Sequence, residues 1–99
     1  MELSKDNILC HELIGLRVKV LNHLDPSLEG VEGAVVWETT RSIRVDRGGK
    51  VVSVLKPSSI LLVEIPGSGW VKVRGDDILG SPFERAKRMA RGERCDASV

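Results

Sequence analysis

Apolar and charged residues alternate with a period of two in several short runs, and a turn signal separates each run from the next. In residues 16–20, Leu16, Val18 and Val20 point one way and Arg17 and Lys19 the other. The alternation returns at 41–46, with Ile43 and Val45 inward, and at 70–74, with Val71 and Val73 inward and Trp70, Lys72 and Arg74 outward. Runs at 31–38, 50–56 and 60–65 complete the set, the last apolar enough to be covered on both faces. Between them lie the loop 22–30 with Asp25-Pro26, the turn Arg47-Gly48-Gly49, the stop at Pro57 and the turn Pro66-Gly67-Ser68-Gly69. Five or six strands about ten residues apart, joined by tight turns, predict a mainly β fold, a small antiparallel barrel. Gly33, inside the second run, predicts a bulge or sharp bend.

The ends change period. Residues 4–13 predict a short helix, with Ser4 as N-cap and Ile8, Leu9 and Leu13 on an apolar stripe ended by Gly15. Ser81-Pro82-Phe83-Glu84 predicts a capping box opening a basic helix over 82–91, ended by Gly92, with a frayed tail over 93–99. With 99 residues the chain makes one domain: a helical segment 1–15, the barrel 16–80, and the basic helix and tail 81–99.

Composition removes several classes of function. The hydrophobic share of 41 % and charged share of 29 % suit a folded chain. No apolar run approaches the roughly 20 residues of a membrane span, and the N-terminus does not read as a secretory signal, so a cytoplasmic protein is expected. In that compartment Cys10 and Cys95 are expected as free thiols. The three aromatics, Trp37, Trp70 and Phe83, are too few to line a large pocket.

No residues assemble a catalytic or metal site. His11-Glu12 begins a zinc-protease motif, but Gly15 stands where its second histidine belongs. Cys10, His11, His23 and Cys95 lack metal-ligand spacing. Asp76-Asp77 reads as a loop cap, because adjacent carboxylates do not share a face. The basic residues carry more. The net charge is only +1, yet residues 41–56 hold Arg41, Arg44, Arg47, Lys50 and Lys56 against Asp46 alone. The last helix holds Arg85, Lys87, Arg88 and Arg91. Clustered base within a near-neutral total points to a polyanion-facing side. The candidate polyanion contacts are Arg17, Lys19, Arg41, Arg44, Lys56, Lys72, Arg74, Arg85 and Arg88, with Trp37 and Trp70 able to stack on bases if the polyanion is a nucleic acid.

The order of certain short motifs is familiar. Leu13-Ile14-Gly15-Leu16 precedes Val18 and Val20; Gly30, Gly33 and Val35-Val36 precede Glu38-Thr39. Lys56-Pro57, then Val73-x-Gly75 and Leu79, then Pro82-x-Glu84-Arg85 with a basic helix complete the order. Over about residues 8 to 91 the chain resembles the Sm-like-barrel protein subunits of ribonuclease P, in archaea protein component 1. The family often has Arg before the last proline, where this chain has Ser81. The long N-terminal extension of eukaryotic members is missing, so the resemblance is to the archaeal form.

The resemblance implies an Sm-like barrel and a non-catalytic subunit. In such particles the RNA, with its own Mg2+, removes the 5′ leader of precursor tRNA, so this chain binds no cofactor itself. It also implies two partners, ribonuclease P RNA and a zinc-ribbon protein subunit, and a chain that is monomeric when isolated. For the protein partner the expected docking surface is Ile8, Leu9 and Leu13 of the first helix with Val31, Val35 and Trp37 of the second strand. A KOW-type barrel of the ribosome or an elongation complex is the alternative, from Val18-x-Val20 and Gly30-x-x-Gly33-x-Val35. A ring-forming Sm-like module and a stand-alone nuclease are further rivals.

Overall fold

A computed structural model of the chain describes residues 2–97. It has six strands: β1 (Arg17–Asn22), β2 (Glu32–Glu38), β3 (Ser42–Arg47), β4 (Lys50–Leu55), β5 (Ile60–Ile65) and β6 (Gly69–Arg74). One helix, α1 (Pro82–Ala90), follows them, and short 3-10 turns stand at Ile8–Cys10, Pro26–Leu28 and Gly75–Ile78. Every ladder is antiparallel, in the order β4-β3-β2-β1-β5-β6. The mainly β fold with short terminal helical elements is the one that the alternating pattern predicts.

The sheet must wrap, because inward residues from both of its edges share one core. Val54 of edge strand β4 and Val73 of edge strand β6 belong to the same buried cluster as Val18, Val35, Ile43 and Val63. A flat sheet of six strands would hold its outer strands roughly 24 Å apart. No ladder joins β4 to β6 among the described residues. Their C-terminal ends meet through loops instead. The Gly75 N–H donates to Ser59 O at 2.8 Å. Gly75 sits so close to the carbonyl of Lys56 that no Cβ fits between them. His23, in sequence a plain loop residue, bridges from the end of β1 to Leu55 O at 3.1 Å.

Two irregularities govern β2. Gly33 is a point of close approach, since a Cβ there would strike the Asp46 carbonyl of β3. The bulge predicted at Gly33 lies further on, where the register with β3 shifts between Val35 and Trp37. The extra residue inverts the alternation. Val36 and Trp37 both stay exposed, and Glu38 turns inward to 5 % exposure.

The predicted helix over 4–13 is reduced to the single turn Ile8–Cys10. Side chains take the backbone groups that a helix would use. Asn7 accepts from Ser4 N at 2.9 Å and donates to Glu2 O at 2.7 Å. Arg85 occupies the carbonyl of Leu9, and Leu13 N, its helical partner, donates to Glu38 Oε1 at 3.3 Å. Tertiary bonds win over a weak local propensity. The capping box of α1 forms as read: Ser81 Oγ accepts from Glu84 N, and Glu84 Oε1 from Ser81 N, each at 3.2 Å.

Two further expectations fail at the C-terminal end. Cys10 and Cys95 are joined in a disulfide, with 5.1 Å between their Cα atoms. Leu9 N donates to Cys95 O at 2.9 Å, so the tail is laid beside the first turn and the two sulfurs become neighbours. A redox argument about compartments carries no information on that geometry. Residues 93–97 are packed and not frayed, with Ala97 8 % exposed; residues 98 and 99 lie outside the described part. Closing a loop of 85 residues is worth about 4–5 kcal/mol in the chain-entropy view.

Replacing Gly33 by alanine should push β2 and β3 apart and lower stability by about 1–3 kcal/mol, the usual penalty for overpacking. Urea unfolding measures it, and an unchanged midpoint would contradict the close approach.

Candidate RNA-binding face

Strands β1 and β6 flank β5, and their outward residues form rows across it. Lys19 is opposite Leu62, and Leu62 is opposite Lys72, so the two lysines lie two strands apart, roughly 10 Å. Arg74 is opposite Ile60 on the same outer side, two residues along from Lys72. Arg17, two residues before Lys19, makes an open ion pair with Glu32 at 3.2 Å, both side chains about half exposed. Such a pair holds little energy and yields readily to a stronger anion. Arg17, Lys72 and Arg74 are exposed and Lys19 half-buried. Four cations therefore stand on a rigid strand surface with their heads toward solvent.

A second group lies on the other half of the sheet. Arg44 of β3 is opposite Trp37 of β2 and Ser53 of β4, and Trp37 is 55 % exposed. Arg41 is exposed in the β2–β3 connection. Arg47 and Lys50 face each other at the β3–β4 turn, both exposed. They flank Gly48-Gly49 of the predicted turn and lie outside the candidate contacts named from the sequence. Trp70, opposite Glu64, is 41 % exposed.

Lys56 and Arg85 do not join either group. They are 0 and 1 % exposed, and both donate to Glu38 Oε2, Lys56 Nζ from 2.8 Å. Lys56 Nζ also donates to Thr39 O at 2.7 Å and Gly80 O at 3.0 Å. Arg85 Nη1 donates to Leu9 O at 2.8 Å and His11 O at 2.9 Å, and its Nε to Gly80 O at 3.2 Å. Two cations thus share one carboxylate, and backbone carbonyls supply the remaining negative charge. Burial pushes the Lys56 ammonium below its usual range, against the opposing pull of Glu38; Arg85 is lowered for the same reason. Neither side chain can present charge to a polyanion. Arg88 is half-buried and spends its guanidinium on Asp77 O at 2.7 Å and Leu79 O at 3.1 Å, which pins α1 to the turn after β6.

The apolar docking residues fare similarly. Ile8, Leu9, Leu13, Val31 and Val35 are no more than 2 % exposed and belong to the core. The reason is the stripe itself: these residues face the barrel interior, α1 and the tail. Only Trp37 of that set is on the surface, beside Val36 at 42 % exposure. Among the described residues no three His, Cys, Asp or Glu side chains gather as metal ligands. No helix among them is long and apolar enough to cross a membrane.

Comparison with known proteins settles the kinship. Residues 6–88 match the family described as ribonuclease P/MRP, subunit p29. The chain belongs to that family. Ribonuclease P protein component 1 of Hyperthermus butylicus is 54 % identical over 92 residues, spanning 92 % of this chain and 83 % of the relative. The protein of the same name from Aeropyrum pernix is 46 % identical over 89 residues, spanning 87 % and 81 %. A solved structure, Mth11, described as a homologue of human RNase P protein Rpp29, superposes with a TM-score of 0.57 at 30 % identity, covering 76 % of this chain and 97 % of that one. The p29 match runs from the N-terminal turn through all six strands into α1. The KOW-type alternative, which rests on about twenty residues of β1 and β2, gains no support from it.

Glu38→Gln removes the only carboxylate that pairs with the two buried cations among the described residues and should cost about 3–5 kcal/mol in urea unfolding. Combining it with Lys56→Met should cost less than the two single changes added together. Strict additivity would show that the three side chains do not act as a cluster.

Proposed function

We propose that this chain is a protein subunit of ribonuclease P that binds the particle's RNA and leaves the chemistry to it. The observation that carries the reading is the p29 family match across residues 6–88, together with outward cations on the strands, Arg17, Lys19, Arg44, Lys72 and Arg74, and Arg41 in the β2–β3 connection. A folded RNA concentrates phosphate where its helices pack. Arginine and lysine on a stiff sheet neutralise that charge with little loss of side-chain and backbone freedom. In this reading the Mg2+ ions that activate water belong to the RNA, and precursor tRNA is the substrate of the whole particle. The chain is monomeric on its own and works in the cytoplasm.

The same reading gives the chain a protein partner, a zinc-ribbon subunit. Its contact is the exposed bulge of β2, Val36 and Trp37, because the core residues Ile8, Leu9, Leu13, Val31 and Val35 offer no surface to a partner. Trp37 beside Arg44 suits either a protein contact or a stacked base.

Reversing Arg17, Lys19, Lys72 and Arg74 to Glu tests the RNA contact. Four phosphate contacts contribute a slope of about −3 to log K against log salt. The quadruple variant should lose that much slope in filter binding to ribonuclease P RNA while its circular dichroism stays unchanged. An unchanged slope would remove this face from the interface. Tagged protein purified from its host in mild salt should carry ribonuclease P RNA; enrichment of ribosomal RNA, or of none, would contradict the assignment.

A further inference from the structure

The Cys10–Cys95 bridge stands apart from both the core of the barrel and the basic face. It fastens the tail after α1 across the turn Ile8–Cys10. The strap is laid by a small set of other links. Leu9 N donates to Cys95 O and Ala97 N to Lys5 O, each at 2.9 Å. Arg94 reaches Asp77 at 3.8 Å. Ala97 closes over the apolar cluster at 8 % exposure.

The rest of this end of the molecule is secured without the sulfurs. Arg85 ties α1 to Leu9 O and His11 O, Arg88 ties it to Asp77 O and Leu79 O, and the capping box fixes its first turn. The two half-cystines also differ in exposure. Cys10 is 6 % exposed, whereas Cys95 is only half-buried, on the strap. A cavity of about 60 Å³ lined by Asn7, Cys10, His11 and Met89 adjoins the bridge.

We propose that the Cys10–Cys95 bridge is a redox-controlled clasp: its reduction releases residues 93–97 from the N-terminal segment and leaves the barrel and α1 in place. A dithiol reductant attacks through a thiolate at Cys95 Sγ, on the more exposed of the two half-cystines. A mixed disulfide forms there, the bond to Cys10 breaks, and Cys10 leaves as a thiolate that takes up a proton. The reductant's second thiol, after losing its proton, displaces Cys95 as a thiolate, which is protonated in turn, and closes the reductant's own disulfide. Two electrons pass to the protein, and a disulfide oxidant of the same class reverses the sequence. Release frees the Leu9 amide, which donates to Cys95 O in the closed strap.

The amides of Leu9 and Ala97 report the clasp directly, because each is bonded only across the strap. Hydrogen exchange is measured on the full chain, oxidised with oxidised glutathione or reduced with dithiothreitol, alongside mass spectrometry after iodoacetamide. The oxidised chain should take up no label and the reduced chain two. Reduction should cut protection at Leu9 and Ala97 by about tenfold or more, while the amide chemical shifts of β1 and β5 stay unchanged and show the barrel still folded. Cys95→Ser should show the reduced pattern with and without dithiothreitol; should it fold poorly, the reduced natural chain carries the same test. Two reactive thiols after oxidation, unaltered protection at Leu9 and Ala97, or altered amide shifts throughout the strands would each overturn the proposal.

Discussion

The carboxylate of Glu38 is the point on which the ends of this chain and its barrel depend. One oxygen receives both Lys56 and Arg85, and the other receives the backbone of Leu13. Through those bonds β2, the β4–β5 connection, α1 and the N-terminal segment converge on one buried anion. Burying two cations beside a single carboxylate is costly unless geometry is good, and the carbonyls of Leu9, His11, Thr39 and Gly80 supply the rest of the field. The bulge after Val35 makes this possible, since without its extra residue Glu38 would face solvent.

That arrangement changes what the family-like motifs signify. Glu38-Thr39, Lys56-Pro57 and Pro82-x-Glu84-Arg85 carry the resemblance, and three of their residues form this cluster. Their charges are inside the protein and hold its architecture. Of the outside cations, Arg17, Lys19, Arg44, Lys72 and Arg74 stand on β1, β3 and β6, where the pleat turns alternate residues to solvent. Charge that fixes the fold and charge that faces a partner are carried by different residues, so each set can be altered while the other is watched.

The period-two runs made the strands and most of their inward residues legible, because a half-buried strand has to alternate. Outward Arg17, Lys72 and Arg74 follow from the same logic. Lys56 and Arg85 did not, because a lysine after a strand and an arginine in a basic helix look like surface residues until a buried carboxylate is found for them. The position of that carboxylate depends on a bulge with no residue signature of its own: Gly33 suggested one, yet it serves the close approach to β3. The disulfide was illegible for a related reason, since contacts between residues 85 apart exist only once the fold brings the ends together. The first helix failed because Asn7, Glu38 and Arg85 compete for its backbone groups.

Lysine acetylation footprinting of the protein, free and bound to ribonuclease P RNA, tests the division of charge most directly. Lys72 and Lys19 should react in the free protein and be protected by RNA, and Lys56 should stay unreactive in both states. A Lys56 that reacts in the free, folded protein and is shielded by RNA would contradict the account, as it would place that cation on the outer face and not beside Glu38.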